Sequence, residues 1–167
     1  CLEELKNVRL DWDVIAVASV QEEETGLGSK TSTFGIKPDL AIAIDVTFAT
    51  GPFTTDENEF YPLGKGIPIS TGPNMHPKMF ELLKKTAEST DIPWKADYMA
   101  GMSGTDAVFI QIAEAGVPTG LINIPLRYMH TQVEVVSWTD IRRAGKLMAE
   151  FIRGLDTDSM KQFEWEE

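Results

Sequence analysis

The chain of 167 residues carries 15 Lys and Arg against 26 Asp and Glu, a formal net charge of −11, with 43% apolar residues. That length and apolar share suit one globular domain with a real core rather than a disordered chain, and the acidity, with no Lys/Arg cluster, argues against nucleic acid as a partner. A single cysteine, Cys1, excludes an intrachain disulfide and fits a reducing, cytoplasmic setting, and no apolar run reaches the roughly 18 residues that span a bilayer.

The chain opens inside what reads as a helix tail, CLEELKN, with Leu2 and Leu5 three apart. A domain rarely opens in mid-helix, so an amino-terminal portion is expected to be missing. Residues 14–20 (VIAVASV) form a continuous apolar run of strand length, as do residues 40–46 (LAIAIDV) and, more briefly, 119–124 (TGLINI). Such runs predict parallel strands covered by helices on both faces. Residues 50–65 (TGPFTTDENEFYPLGK) lack a clear period and predict a long loop, uncommon unless functional or partly stranded.

Pro77 opens a predicted helix with Met79, Leu82, Leu83 and Ala87 on one face. A second is expected from about residue 105 to 115, stopped by Gly116 with Pro118 beyond. Thr139 caps a third, with Ile141, Ala144, Leu147, Met148, Phe151 and Ile152 along one stripe before Gly154. Residues 156–167 are an acidic tail without periodicity, expected to fray, and hold Phe163 and Trp165. Alternating strands and helices, with no internal repeat, give one α/β layered domain over residues 1–155.

In open α/β sheets ligands collect at the carboxyl ends of strands. There the first run ends in Gln21-Glu22-Glu23-Glu24, the second contains Asp45, and the third leads to Arg127-Tyr128-Met129-His130. Alone, three acids are a solvated turn, and a single Asp or His is a satisfied structural residue. Their shared position just past buried strands favours one cleft, and carboxylates with imidazole are the ligand set for Zn²⁺ or a similar ion. Neighbours on an extended backbone point to opposite sides, so Glu22 and Glu23 are free to divide the work, one binding metal and one moving a proton.

The blocks VQEEETGLGSKTS, AIDVT, GPNMHP, SGTDA and IPLRYMHTQVE, in this order, resemble the tetrahedral aminopeptidases. That family includes glutamyl and deblocking aminopeptidases, and some members bear the name endoglucanase. The resemblance covers nearly the whole chain and implies a three-layer α/β/α fold with a largely parallel mixed sheet. It implies two divalent ions, zinc or cobalt, that activate a water against the first peptide bond of a peptide substrate. It implies Glu22 as general base and acid, Glu23 and His130 as ligands of one metal, and Asp45 as a ligand of the other. Counting back from the KTS and DVT blocks favours Glu22-Glu23 over Glu23-Glu24 for the paired acids. It also implies homo-oligomers, dodecamers in the family.

The family has two further ligands, a histidine near its amino end and a bridging aspartate in a D-[DN]-R-x-G block, and an inserted β domain. None of these occurs in the 167 residues, and His76 of GPNMHP does not match the missing histidine. Zinc sites normally supply three or four protein ligands, so this chain alone is expected to bind metal weakly and to be nearly inactive. Ser103, Thr105 or Asp106 is expected to cap a helix, and Arg127 and Tyr128 to orient the His130 loop. Two other readings are a glycosidase, which needs two carboxyls facing each other across a sugar, and a non-catalytic truncated domain. Trp12, Trp94, Trp138 and Trp165 are scattered and form no sugar platform.

Overall fold

The structure, a computed structural model, describes residues 1–52, 54 and 60–163. Its strands are β1 (Ala41–Phe48), β2 (Ile67–Thr71), β3 (Trp94–Tyr98), β4 (Thr119–Arg127) and a two-residue β5 (Val135–Val136). Their order is β1-β4-β2-β3, with β5 on the end of β4. β1 runs parallel to β4, Asp45 opposite Asn123, and β2 runs parallel to β3. β2 and β4 are antiparallel through Ile69–Ile122 and Ser70–Leu121, so the sheet is mixed.

The helices are α1 (Leu2–Leu5), α2 (Leu27–Ile36), α3 (Pro77–Ser89), α4 (Ala107–Gln111) and α5 (Trp138–Arg153). α3 and α5 cover one face, where Ile67, Ile69 and Ile122 pack against Met79, Leu83, Leu147 and Phe151. On the other face Ala43 and Leu121 meet Met75 and Ala107, with α2 packed on α4. Alternate side chains of β1 and β4 thus feed two cores, and the result is a three-layer α/β domain.

α3 forms as its sequence predicts. Pro77 occupies the first turn, the His76 ring accepts the Lys78 N–H at 3.2 Å, and Met79, Leu83 and Ala87 are buried. A Cβ at Gly120 would lie 2.9 Å from Leu83 Cδ1, so that glycine lets α3 sit close on β4. α5 has the expected stripe and ends at Gly154, but its N-cap is Ser137, not Thr139. Its first turn is fixed instead by the fully buried Asp140, which accepts the Gly64 N–H at 2.5 Å and pairs with Arg143.

Several expectations are corrected. Residues 14–20 form no strand: Ile15 is 62% and Val20 67% exposed, and no ladder includes them. β1 is not covered on both faces either, since Ile44 and Phe48 are about half exposed. An apolar run becomes a buried strand only beside a partner that takes its backbone groups. Among the described residues no strand pairs with the outer edge of β1, which is met at its end by Tyr61, whose N–H donates to the Phe48 carbonyl at 3.0 Å.

The helix expected at 105–115 is confined to Ala107–Gln111, because Glu114 (φ 52°) and Gly116 (φ 102°) leave the helical region. β2, β3 and α2 were not foreseen. Of the loop expected at residues 50–65, residues 53 and 55–59 lie outside the described residues, and Tyr61 forms a bridge with Ala49.

Beyond residue 155 the chain is not frayed as far as Phe163. Residues Ser159–Phe163 form a 3₁₀ turn, and the Phe163 ring lies edge-on to His76 at 5.5 Å. Trp165 lies outside the described residues. Among the described residues no helix is long and apolar enough to cross a membrane.

Candidate metal and catalytic site

Glu22, Glu23 and Glu24 sit on a turn closed by the Gln21 carbonyl, which accepts the N–H groups of Thr25 (3.0 Å) and Gly26 (2.9 Å). Gly26 has φ 60°, and a Cβ there would fall 1.9 Å from the Phe109 ring. Only glycine permits both the left-handed backbone and that ring contact. The turn is thereby seated against α4.

Asp45 projects from β1 half-buried, its Oδ1 accepting the Val46 N–H at 2.7 Å. His130 lies in the loop after β4. Arg127 Nε donates to the Thr50 carbonyl at 2.6 Å, and the His130 N–H donates to Glu134 Oε1 at 2.7 Å. Tyr128 and His130 both take positive φ, 62° and 61°, which non-glycine residues adopt at a cost.

These turns bring His130 Nε2 to 3.3 Å from Glu23 Oε2. A cleft of about 460 Å³ lies there, lined by Glu23, Asp45, Met129, His130, Glu134 and Val136 among others. Burial raises the Glu22 carboxyl above its ordinary range, helped by Asp45, Asp106 and Glu23 and opposed by His130. Burial also raises Asp45, against the Val46 N–H, with Glu23 and Asp106 adding to the rise. Crowded carboxylates of this kind favour a proton or a cation among them.

The structure therefore brings Glu23 and His130 together, with Asp45 in the same cleft and Glu22 in the field of all three. His130 meets Glu23 and not Glu24. Two ligands about 2.0–2.1 Å from a tetrahedral ion stand roughly 3.3–3.4 Å apart, so this pair fits one ion as two of its ligands. Among the described residues no group of three or more His, Cys, Asp and Glu is placed to hold an ion.

Two acids had not been given these roles. Asp106 does not cap α4 with its side chain; Oδ2 accepts the Ser19 hydroxyl at 2.5 Å and Oδ1 is buried without a partner. The helix start is served by Thr105, whose hydroxyl accepts the Ala107 N–H at 3.3 Å. Glu134 was legible as the last residue of the IPLRYMHTQVE block, but its bond to the His130 backbone depends on loop geometry.

Residues 1–147 match the M42 glutamyl aminopeptidase family. A lysyl aminopeptidase of Pyrococcus furiosus is 40% identical over 136 residues, 81% of this chain and 39% of that protein. Among solved structures, the aminopeptidase APDkam598 of the archaeon Desulfurococcus kamchatkensis superposes with a TM-score of 0.88 at 38% identity, over 98% of this chain and 48% of that one. The TET1 peptidase of Pyrococcus horikoshii, described as assembling into a tetrahedron or a large octahedral shell, gives 0.66 at 26% identity, over 82% and 40%. The chain spans less than half the length of the curated relatives it matches. With most of its length matched and its layers superposing on such an aminopeptidase, the chain belongs to the M42 glutamyl aminopeptidase family.

Proposed function

We propose that the chain is the carboxyl-terminal part of the catalytic domain of a metal-dependent aminopeptidase, acting on peptides in the cytoplasm as a homo-oligomer. The observation that carries this reading is the 3.3 Å approach of His130 to Glu23 beside the raised carboxyl of Glu22. Glu23 and His130 are assigned to one divalent ion and Asp45 to a second, zinc or cobalt, with further ligands needed beyond these three. When bound, such ions supply Lewis-acid polarisation of a peptide carbonyl and of water.

Glu22 is assigned the proton. Its carboxylate accepts one from the attacking water and returns it to the leaving amine, so the peptide C–N bond breaks with the amine neutral. A carboxyl raised by burial and acidic neighbours is suited to both halves of that task. The family membership and the named relatives support the reaction class, and the assembly described for the Pyrococcus horikoshii protein supports the oligomer. The glycosidase alternative is not favoured, because neighbouring Glu22 and Glu23 of one turn do not face each other across a sugar.

The test is Glu22→Gln in the complete catalytic domain loaded with metal, with peptide hydrolysis and metal content measured together. Turnover is expected to fall by about 10²–10⁴ with metal content unchanged; undiminished turnover would sink the assignment.

A further inference from the structure

Among the described residues, residues 14–20 make no backbone hydrogen bond, and the one side-chain bond they make is from Ser19. Its hydroxyl donates to Asp106 Oδ2 at 2.5 Å, far away along the chain. Beyond the acidic turn Gly26 is seated on the Phe109 ring, and a side chain at Gly28 would not clear the Val20 backbone. Asp106 heads α4 and Phe109 lies within it. One short helix therefore grips the chain on both sides of Glu22 and Glu23.

That helix is itself fixed to the sheet. Ala107 is fully buried beside Ala43 and Leu121. Just before it, the Ser103 N–H donates to Oδ1 of the buried Asn74 at 2.9 Å, and Asn74 Nδ2 donates to Ser103 Oγ at 3.1 Å. Asp106 serves none of these bonds. Among the described residues it makes no cap bond and no ion pair, and its Oδ1 is buried without a partner. A carboxylate that gives up water for a single hydroxyl is a costly way to stabilise a fold. Its place is more telling, since it stands near enough to Glu22 and Asp45 to raise both carboxyls.

We propose that Asp106 is a positioning residue: through Ser19 it holds the acidic turn on α4, so that Glu22 and Glu23 stand where His130 and Asp45 can meet them. Its part at the site rests on the metallopeptidase reading, whereas the tether itself does not. Residues 20–25 carry three carboxylates that repel one another, and no ladder holds them. Repulsion spreads such a turn, and an anchor at each end opposes the spreading. A hydrogen bond onto a carboxylate is among the stronger ones available for that task. Without it one end is released, and Glu23 loses its fixed approach to His130.

The experiment compares the unaltered chain with Ser19→Ala, Asp106→Ala, the two together, and Ser19→Thr, which keeps the hydroxyl. Zinc affinity is measured by calorimetry, and amide exchange is followed at Gly26, whose N–H closes the turn onto the Gln21 carbonyl. Each alanine variant is expected to weaken zinc binding about tenfold, the scale for a group that supports a metal ligand. Exchange at Gly26 should quicken about tenfold as well. The double variant should be no worse than Asp106→Ala alone, because both changes break one bond. Ser19→Thr should match the unaltered chain. A residue needed only for the fold would leave the zinc affinity of the folded chain where it was.

Additive losses, an unchanged zinc affinity in either alanine variant, or a Ser19→Thr chain no better than Ser19→Ala each overturns the proposal. Failure of the unaltered chain to take up zinc overturns the metal reading instead, and Gly26 then decides the tether. Faster exchange in both alanine variants, and no faster in the double, sustains it; unchanged exchange overturns it.

Discussion

His130 Nε2 stands 3.3 Å from Glu23 Oε2, one residue in the loop after β4 and the other in the turn before α2. Neither position is reached by regular backbone: Gln21 and Gly26 bracket the Glu23 turn with positive φ, and Tyr128 and His130 take positive φ themselves. Single residues held in that region need surrounding bonds to keep them there. For His130 that bond is the one from its N–H to Glu134, so the imidazole is placed by an acid that need touch no metal.

Glu134→Ala is therefore expected to weaken zinc binding about tenfold, the usual scale for loss of a supporting group around a metal ligand. His130→Ala should weaken it more, by at least ~100-fold, because one of two paired donors is gone. Zinc titration of both variants, followed by calorimetry, checks the order. Equal losses would show that Glu134 binds the ion directly.

Burial and acidic neighbours raise Asp45 and Glu22 in the folded chain. Between the ordinary and the raised values the folded state holds more protons than the unfolded one, so stability falls as pH rises through that window. At neutral pH the metal-free fold bears the cost of ionising both. Asp45→Asn should then raise the Tm of the metal-free chain by roughly 1–3 °C at pH 7, and by nothing below about pH 3, where the carboxyl is protonated in both states. A Tm that drops at pH 7 would mean that Asp45 is satisfied as an anion.

Much of this arrangement is legible in the amino-acid order, and the exceptions share a cause. α3 and α5 follow from their apolar stripes, Pro77 and Gly154, and β1 and β4 from runs of Ile, Leu, Val and Ala. Apolarity alone does not say which neighbour a strand will find, which is why residues 14–20 read like β1 yet pair with nothing described. β3 escaped because Lys95 and Asp97 interrupt it, and β2 because Pro68 does. At the site, Glu22, Glu23, Asp45 and His130 were visible through ordered blocks, whereas the roles of Asp106 and Glu134 come from turns that bring distant loops together.

Asp97 is one such interruption with a structural task. Buried on β3, it accepts Tyr61 Oη, Ser70 Oγ and Asn123 Nδ2, each at 2.8 Å. Burial, with Asp97 beside it, pushes the Tyr61 hydroxyl well above its ordinary range, so it remains a donor. Tyr61→Phe leaves Asp97 Oδ1 without that donor, at a cost of ~2 kcal/mol. The expected loss in Tm is roughly 4–8 °C by thermal denaturation. A loss below one degree would mean that water replaces the hydroxyl.

The status of residues 14–20 can be decided by a polar substitution. Ile15 is 62% exposed, so Ile15→Asp removes little buried area and should change stability by no more than about 0.5 kcal/mol. Leu121, fully buried between Ala43 and the helices of that face, sets the contrast: Leu121→Ala should cost about 2–5 kcal/mol. Urea unfolding of the two variants measures both. Were Ile15→Asp to cost as much as Leu121→Ala, residues 14–20 would be packed as a covered strand, and Glu22 and Glu23 would be held by the sheet rather than by the Gln21–Gly26 turn.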